Sequence, residues 1–225
     1  MNEIHLNILT QIGDNEPGYV GNNSLNWANQ VSPDNNFDNY LNRQFNRYEL
    51  FEYCQNINND NLNVLVAILS WGGMRRDHGR LLFNNLEFVL GLVDNLRNNT
   101  FGTRQIAFST IQGHRVNGLL PGLGIGYFTK LICFLSPNLN GYIMDQWVGK
   151  SINLLTGQNI VNITGNSWVN DKNNPDTYEI FCTHIDELAY QLNCTGFEAE
   201  KKIFSVGRGY GTWRNYLIQN YNWHG

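Results

Sequence analysis

At 225 residues the chain is long enough for one large domain or two small lobes, with a core that needs no disulfide or metal staple. Only 15% of its residues are charged and the formal net charge is −4, which argues against a protein that coats nucleic acid by bulk attraction and leaves any such field to local clusters. No apolar run approaches bilayer length, the first residues lack the order of a signal peptide, and the four cysteines form no CxxC, so a cytoplasmic protein with reduced thiols and neither zinc nor an iron–sulfur cluster is expected.

Residues 1–45 are rich in Asn, Gly, Asp and Pro without a sustained period and read as an irregular, partly β-like lead-in. Residues 46–225 read as one mainly α-helical domain. RYELFEYCQNI and NLNVLVAILSWG have helical patterning, and the stretch from Leu81 to Leu96 carries Leu82, Leu86, Val89, Val93 and Leu96 on one 3.6-residue stripe. A helix ending near Gly118, the turn LLPGLGIG and the apolar helix YFTKLICFL then form a hairpin over residues 115–135, closed by Ser136-Pro137. After a loop come Asp145, the helix QWVGKSINLL, a polar loop to Pro175, and helices resuming at Tyr178, Phe197 and Thr212. There is no internal repeat. The Asn enrichment reads as compositional bias and carries no chemistry.

Three features bear chemistry. Gly122, Gly124 and Gly126 alternate just before a helix; without Cβ atoms their amides, with that of Leu123, can converge on a phosphate at the helix N-terminus, although the same turn also serves as a plain interhelical connection. GxGxxG spacing is absent and no strand precedes the turn, so a dinucleotide fold is excluded. Almost every neighbour of Lys130 is apolar. Burial disfavours its ammonium form, which is how a lysine becomes a nucleophile near neutral pH, while a snorkelling structural lysine is the alternative. Asp145 follows the apolar Tyr142, Ile143 and Met144 at a helix start, where it is suited to capping and, being rigidly aimed, also to catalysis.

In this order, LPGLG, Lys130 in the next helix and Asp145 after an apolar run resemble the helix-hairpin-helix DNA glycosylase superfamily, and GYFTKLICFL, YIMDQWV and AEKKIFSVGRG resemble its 8-oxoguanine DNA glycosylase branch. The resemblance runs from about Asn61 to Gly209. It implies a two-lobed helical protein, with the hairpin on a DNA phosphate and the catalytic pair in the cleft between the lobes. Most lysine-bearing members place the lysine two residues after the hairpin's last glycine; Gly126 stands there, and Lys130 lies one helical turn further on the same face.

By the same resemblance, SWGGMRRDHGR between two helices is the wedge loop, with an ordinary helix–helix connection as the alternative. Trp71 or Met74 would fill the gap left by the flipped nucleotide, and Arg75 or Arg76 would touch the opposite strand. Phe204 stands where the family stacks an aromatic ring on the flipped base, and Glu200 where a Gln often reads it, with a core Phe204 and a solvent-facing Glu200 as the alternative. An ionised Glu only accepts hydrogen bonds, which favours a base that presents donors. His114, Arg115 and Arg208 are candidate phosphate contacts.

The implied activity is excision of a modified base from double-stranded DNA by a monomer. Lys130 attacks C1′, Asp145 assists, and the resulting Schiff base permits strand cleavage, without metal or organic cofactor. Oxidised guanine in DNA repair is the default substrate. A modified cytosine of bacteriophage DNA, excised in antiviral defence, is the alternative, and a non-catalytic module that only holds DNA backbone is a second.

Overall fold

The computed structural model describes residues 1–12, 18–165, 167–204 and 211–221. In chain order these form α1 (Glu3–Gln11), α2 (Ser24–Val31), α3 (Arg47–Gln55), α4 (Asn61–Trp71), α5 (Arg76–Phe83), α6 (Leu86–Arg97), α7 (Arg104–Val116), α8 (Ile125–Leu135), α9 (Gln146–Thr156), β1 (Ile163–Thr164), β2 (Trp168–Val169), α10 (Pro175–Leu192), α11 (Gly196–Phe204) and α12 (Thr212–Asn220). The mainly helical fold class expected from the sequence holds. The two short strands pair antiparallel, Ile163 opposite Val169, inside the polar loop before Pro175.

Two expectations need correction. The lead-in of residues 1–45 is not irregular: α1 and α2 lie within it, started by Asn2 and Asn23, whose side chains accept from Ile4 N and Asn26 N. Asn is a strong N-cap because its short side-chain carbonyl reaches the unpaired amides of the first turn, so an Asn-rich segment that resembles loop is here a set of helix starts. The stretch from Leu81 to Leu96 is not one helix. Asn84 and Asn85 end α5 and begin α6, interrupting a hydrophobic stripe that continues on both sides.

The chain divides into two compact units. Residues 20–141 form one unit; residues 1–19 join residues 142–225 in the other. In the first, here the central unit, α4 is apolar on all sides, and Val64 through Leu69 are wholly buried. α2, α3, α6 and α8 pack around it, and α7 packs on α8. The edge-to-face pair Phe108–Phe128, at 4.8 Å between ring centroids, joins α7 to α8.

In the other, terminal unit, α9 is the central helix, met by α1, α10, α11 and α12. Trp213 Nε1 donates to Ser151 Oγ at 2.9 Å, and Ser151 Oγ donates to the Ile203 carbonyl at 3.1 Å, tying α12, α9 and α11 at one point. Gly196 abuts Tyr142: a Cβ there would fall 1.9 Å from the Tyr142 hydroxyl, so only glycine permits this approach.

Candidate functional site

In the central unit the hairpin is built from two turns. α7 closes with Gly118 at φ 75° and with Leu119 N–H returning to the His114 carbonyl at 3.0 Å, the pattern of a glycine-ended helix. Leu120 and Leu123 are wholly buried and anchor the loop. Gly122, at φ 80°, lies so close to His78 that a Cβ would sit 2.6 Å from its carbonyl oxygen. Gly124 then N-caps α8 without any side-chain cap, and the space beside it is open: no atom lies within 4 Å of a Cβ placed there. Gly126 is in the first turn of α8, half-buried. An uncapped helix start with open glycine backbone is a place where an anion can meet main-chain amides.

Lys130 is on the same helix, 5% exposed. Its amine donates to the Gly126 carbonyl at 2.8 Å, one turn back, and sits 5.7 Å from the Tyr127 ring centroid. Gly72, the C-cap of α4, covers its methylene chain. The Tyr127 hydroxyl donates to the Gly73 carbonyl at 3.3 Å, which holds the ring beside the amine. The amine is thus returned to the level of Gly126, the position at which the superfamily resemblance would root a lysine.

Trp71 and Met74 do not stand ready to fill a gap in DNA: they are 1% and 2% exposed. The loop after α4 is itself a glycine-ended helix turn. Gly73 has φ 71°, Met74 N–H returns to the Leu69 carbonyl at 3.0 Å, and the apolar residue at Met74's position of that motif packs inward. Trp27 Nε1 donates to the Met74 carbonyl at 2.7 Å and fixes the turn. What the loop presents outward is Gly73, Arg75 and Arg76. Arg75 pairs with Asp77 at 2.5 Å, and this contact holds the exposed Asp77 carboxyl below its ordinary range. Arg80 donates to the Gln30 carbonyl, and His114 is half-buried edge-on to Phe88. Arg115 is half-buried, and Arg208 lies outside the described residues.

In the terminal unit Asp145 caps α9. Its Oδ1 accepts from Trp147 N at 2.8 Å and Val148 N at 3.0 Å, so the cap does not consume the second carboxylate oxygen. The buried run before it is pinned from α10: Tyr178 OH donates to the Tyr142 carbonyl at 3.0 Å, and Tyr142 OH donates to Asp186 Oδ1 at 2.5 Å. Glu200 is wholly buried on α11. Phe204, 9% exposed, meets Tyr19 edge-on at 5.6 Å between ring centroids.

Sequence reasoning missed two residues in this unit. Lys150 is 1% exposed and its amine lies 4.8 Å from the Trp147 ring centroid. Burial, and then the charge of Arg214, push its pKa down to about 8 against the opposing pull of Asp145. Arg214 is wholly buried, with its guanidinium carbon 3.8 Å from the Trp147 centroid. Burial pushes its pKa down to about 10, again opposed by Asp145. Its Nη2 donates to the Phe204 carbonyl, while Nε and Nη1 find no hydrogen-bond partner. Leaving buried donors unmade costs about 1–3 kcal/mol each, more for a charged group.

Among the described residues, no His, Cys, Asp and Glu come together as a metal-holding group, and no helix is long and apolar enough to cross a membrane. Cys54, Cys133 and Cys182 are buried free thiols and Cys194 is half-buried. No curated protein and no solved structure matches the chain. A family model does: the one described as "Putative 8-oxoguanine DNA glycosylase OGG-like protein" matches residues 21–204. That span takes in the hairpin, Lys130, Asp145, Glu200 and Phe204, and the chain belongs to this OGG-like family.

Proposed function

We propose that the protein is a DNA glycosylase with lyase activity, which extrudes a modified base from double-stranded DNA and excises it through Lys130, with 8-oxoguanine as the default substrate. The observation that carries this reading is the burial of Lys130, with its amine held by the Gly126 carbonyl, on the helix that the glycine hairpin opens. An attacking amine must present its lone pair in a fixed direction, and the Lys130 amine is positioned by its own helix rather than free in solvent.

In this mechanism the hairpin holds a backbone phosphate at Gly122, Leu123, Gly124 and Gly126. The Lys130 amine attacks C1′ of the extruded nucleotide with its lone pair, and the bond from C1′ to the base breaks with its electron pair leaving on the base, which takes up a proton that the amine gives up. Asp145 stabilises positive charge developing on the sugar, a task suited to a carboxylate whose aim is fixed by two amides. The second amine proton passes to O4′ as the sugar ring opens to give an imine, from which loss of a C2′ proton expels the 3′ phosphate by β-elimination. Glu200 and Phe204 would line the base site.

A second reading keeps the chemistry and changes the base. Glu200 is acidic and wholly buried where a Gln is common by resemblance, and its carboxyl oxygens would accept from the amino group of a modified cytosine as well as from the donors of oxidised guanine. Excision of such a base from bacteriophage DNA would serve antiviral defence.

Borohydride trapping tests both readings on duplexes that carry 8-oxoguanine, uracil, an alkylated purine or glucosylated hydroxymethylcytosine. A covalent adduct on one duplex, lost in Lys130→Met, is the expected result and names the base. Abasic sites without an adduct would remove Lys130 as nucleophile. Binding without either product on any duplex would overturn the enzyme reading in favour of a backbone-binding module.

A further inference from the structure

We infer that Arg214 and Lys150 form a buried binding site for an acceptor oxygen of bound nucleic acid, either a base carbonyl or a backbone phosphate. The inference rests on the glycosylase reading for the source of the oxygen, and on the terminal unit alone for the site. Arg214 is wholly buried, yet two of its three guanidinium nitrogens, Nε and Nη1, have no acceptor. Its orientation is nevertheless fixed: the third nitrogen is bonded to the Phe204 carbonyl, and the plane is stacked on Trp147 and flanked by Phe204 at 5.4 Å.

Lys150 shares the Trp147 ring and is as buried, so two cations lie beside one indole. Asp145 acts on both, and one of its oxygens is engaged by the α9 amides. Two cationic side chains therefore share a buried place in which the Arg214 donors Nε and Nη1 are aimed and unmade. A structural role alone would be met better by an apolar side chain of similar volume, which would lack both the desolvation penalty and the orphaned donors. An oxygen ligand removes both defects. The aromatic walls, Trp147 and Phe204, suit a flat group whose edge carries that oxygen.

Thermal unfolding with inorganic phosphate as the probe, at ionic strength held constant with sodium chloride, tests the site without reference to catalysis. Wild type is expected to gain about 3–5 °C, saturably, at ten times the half-saturating concentration. Arg214→Met and Lys150→Met are expected to lose that gain, and Arg214→Lys to keep part of it. The hairpin's own response to phosphate is common to all four proteins, so only the difference counts. Equal responses in wild type and both methionine variants would overturn the site, as would no response in wild type.

Competition then identifies the source. Displacement of phosphate by free 8-oxoguanine base indicates a carbonyl; displacement only by a duplex with a tetrahydrofuran abasic site indicates the backbone. A phosphate response that neither displaces would overturn the assignment to nucleic acid. Failure of adduct trapping with an intact, competable response would instead count against the glycosylase reading and leave the site standing.

Discussion

Gly72 lies against the side chain of Lys130: a Cβ built on Gly72 would be 2.8 Å from Lys130 Cδ and 3.1 Å from Cε. The glycine is not demanded by its backbone, which is helical at φ −66°, so its bareness serves the lysine. Gly72→Ala is therefore expected to leave stability within about 1 kcal/mol, helix propensity offsetting crowding. It should displace the amine from Gly126. If the amine attacks C1′, single-turnover excision should fall about 10–100-fold, because misplacement by an ångström is enough to cost that much. Unchanged excision with unchanged unfolding would remove Lys130's present position from the mechanism.

Asp145 performs two separable tasks. Asn caps a helix nearly as well as Asp, so Asp145→Asn is expected to unfold within a few tenths of a kcal/mol of wild type, whereas Asp145→Ala should lose about 1 kcal/mol. Excision should fall about 10²–10⁴-fold in both, since neither supplies a negative charge to the sugar. Denaturant midpoints and single-turnover rates on the same three proteins check the split. An active Asp145→Asn would reduce the residue to a cap.

The burial pattern at the proposed wedge makes opposite predictions for neighbouring residues. Met74→Ala removes a buried side chain and should cost about 2–4 kcal/mol of stability. Arg76→Ala, on an exposed residue, should change stability by less than about 0.5 kcal/mol and weaken DNA binding several-fold, more at low salt than at high. Equal affinity of Arg76→Ala and wild type at low salt would take the loop off the DNA.

The sequence makes some of this arrangement legible and hides the rest for definite reasons. Lys130 is readable because almost every neighbour in YFTKLICFL is apolar, and Asp145 because a carboxylate after an apolar run and before a helix is a capping signal. Lys150 carries nearly the same signature as Lys130, a lone lysine near Val148, Ile152 and Leu154, and proves as buried. Arg214 has no local signal: TWRNYLIQN is mixed in polarity, and the residues that cover it, Trp147 and Phe204, come from distant parts of the chain. The inward turn of Met74 is likewise invisible in composition, because it depends on Gly73 adopting a positive φ. Helices α1 and α2 escape a periodicity reading for another reason: nine and eight residues long, they are too short to repeat a stripe.

The lowered pKa of Lys150 makes a prediction about stability and pH. In the folded protein the amine titrates near 8, while in the unfolded chain it titrates near its ordinary 10.5. Between those values the unfolded state binds more protons than the folded state, so unfolding free energy rises with pH. Below about pH 8 both states are protonated and the penalty for burying the ammonium is fully present; above about 10.5 both are neutral and it is gone. The gain across the window is on the order of 1–3 kcal/mol, and only the part up to pH 9.5 is free of tyrosine titration. Lys150→Met has nothing to titrate. The difference in unfolding free energy between this variant and wild type should therefore shrink as pH rises from 7.5 to 9.5, with the variant the more stable at the lower end. A difference constant over that range would mean that the Lys150 amine is not held at a lowered pKa in the folded state.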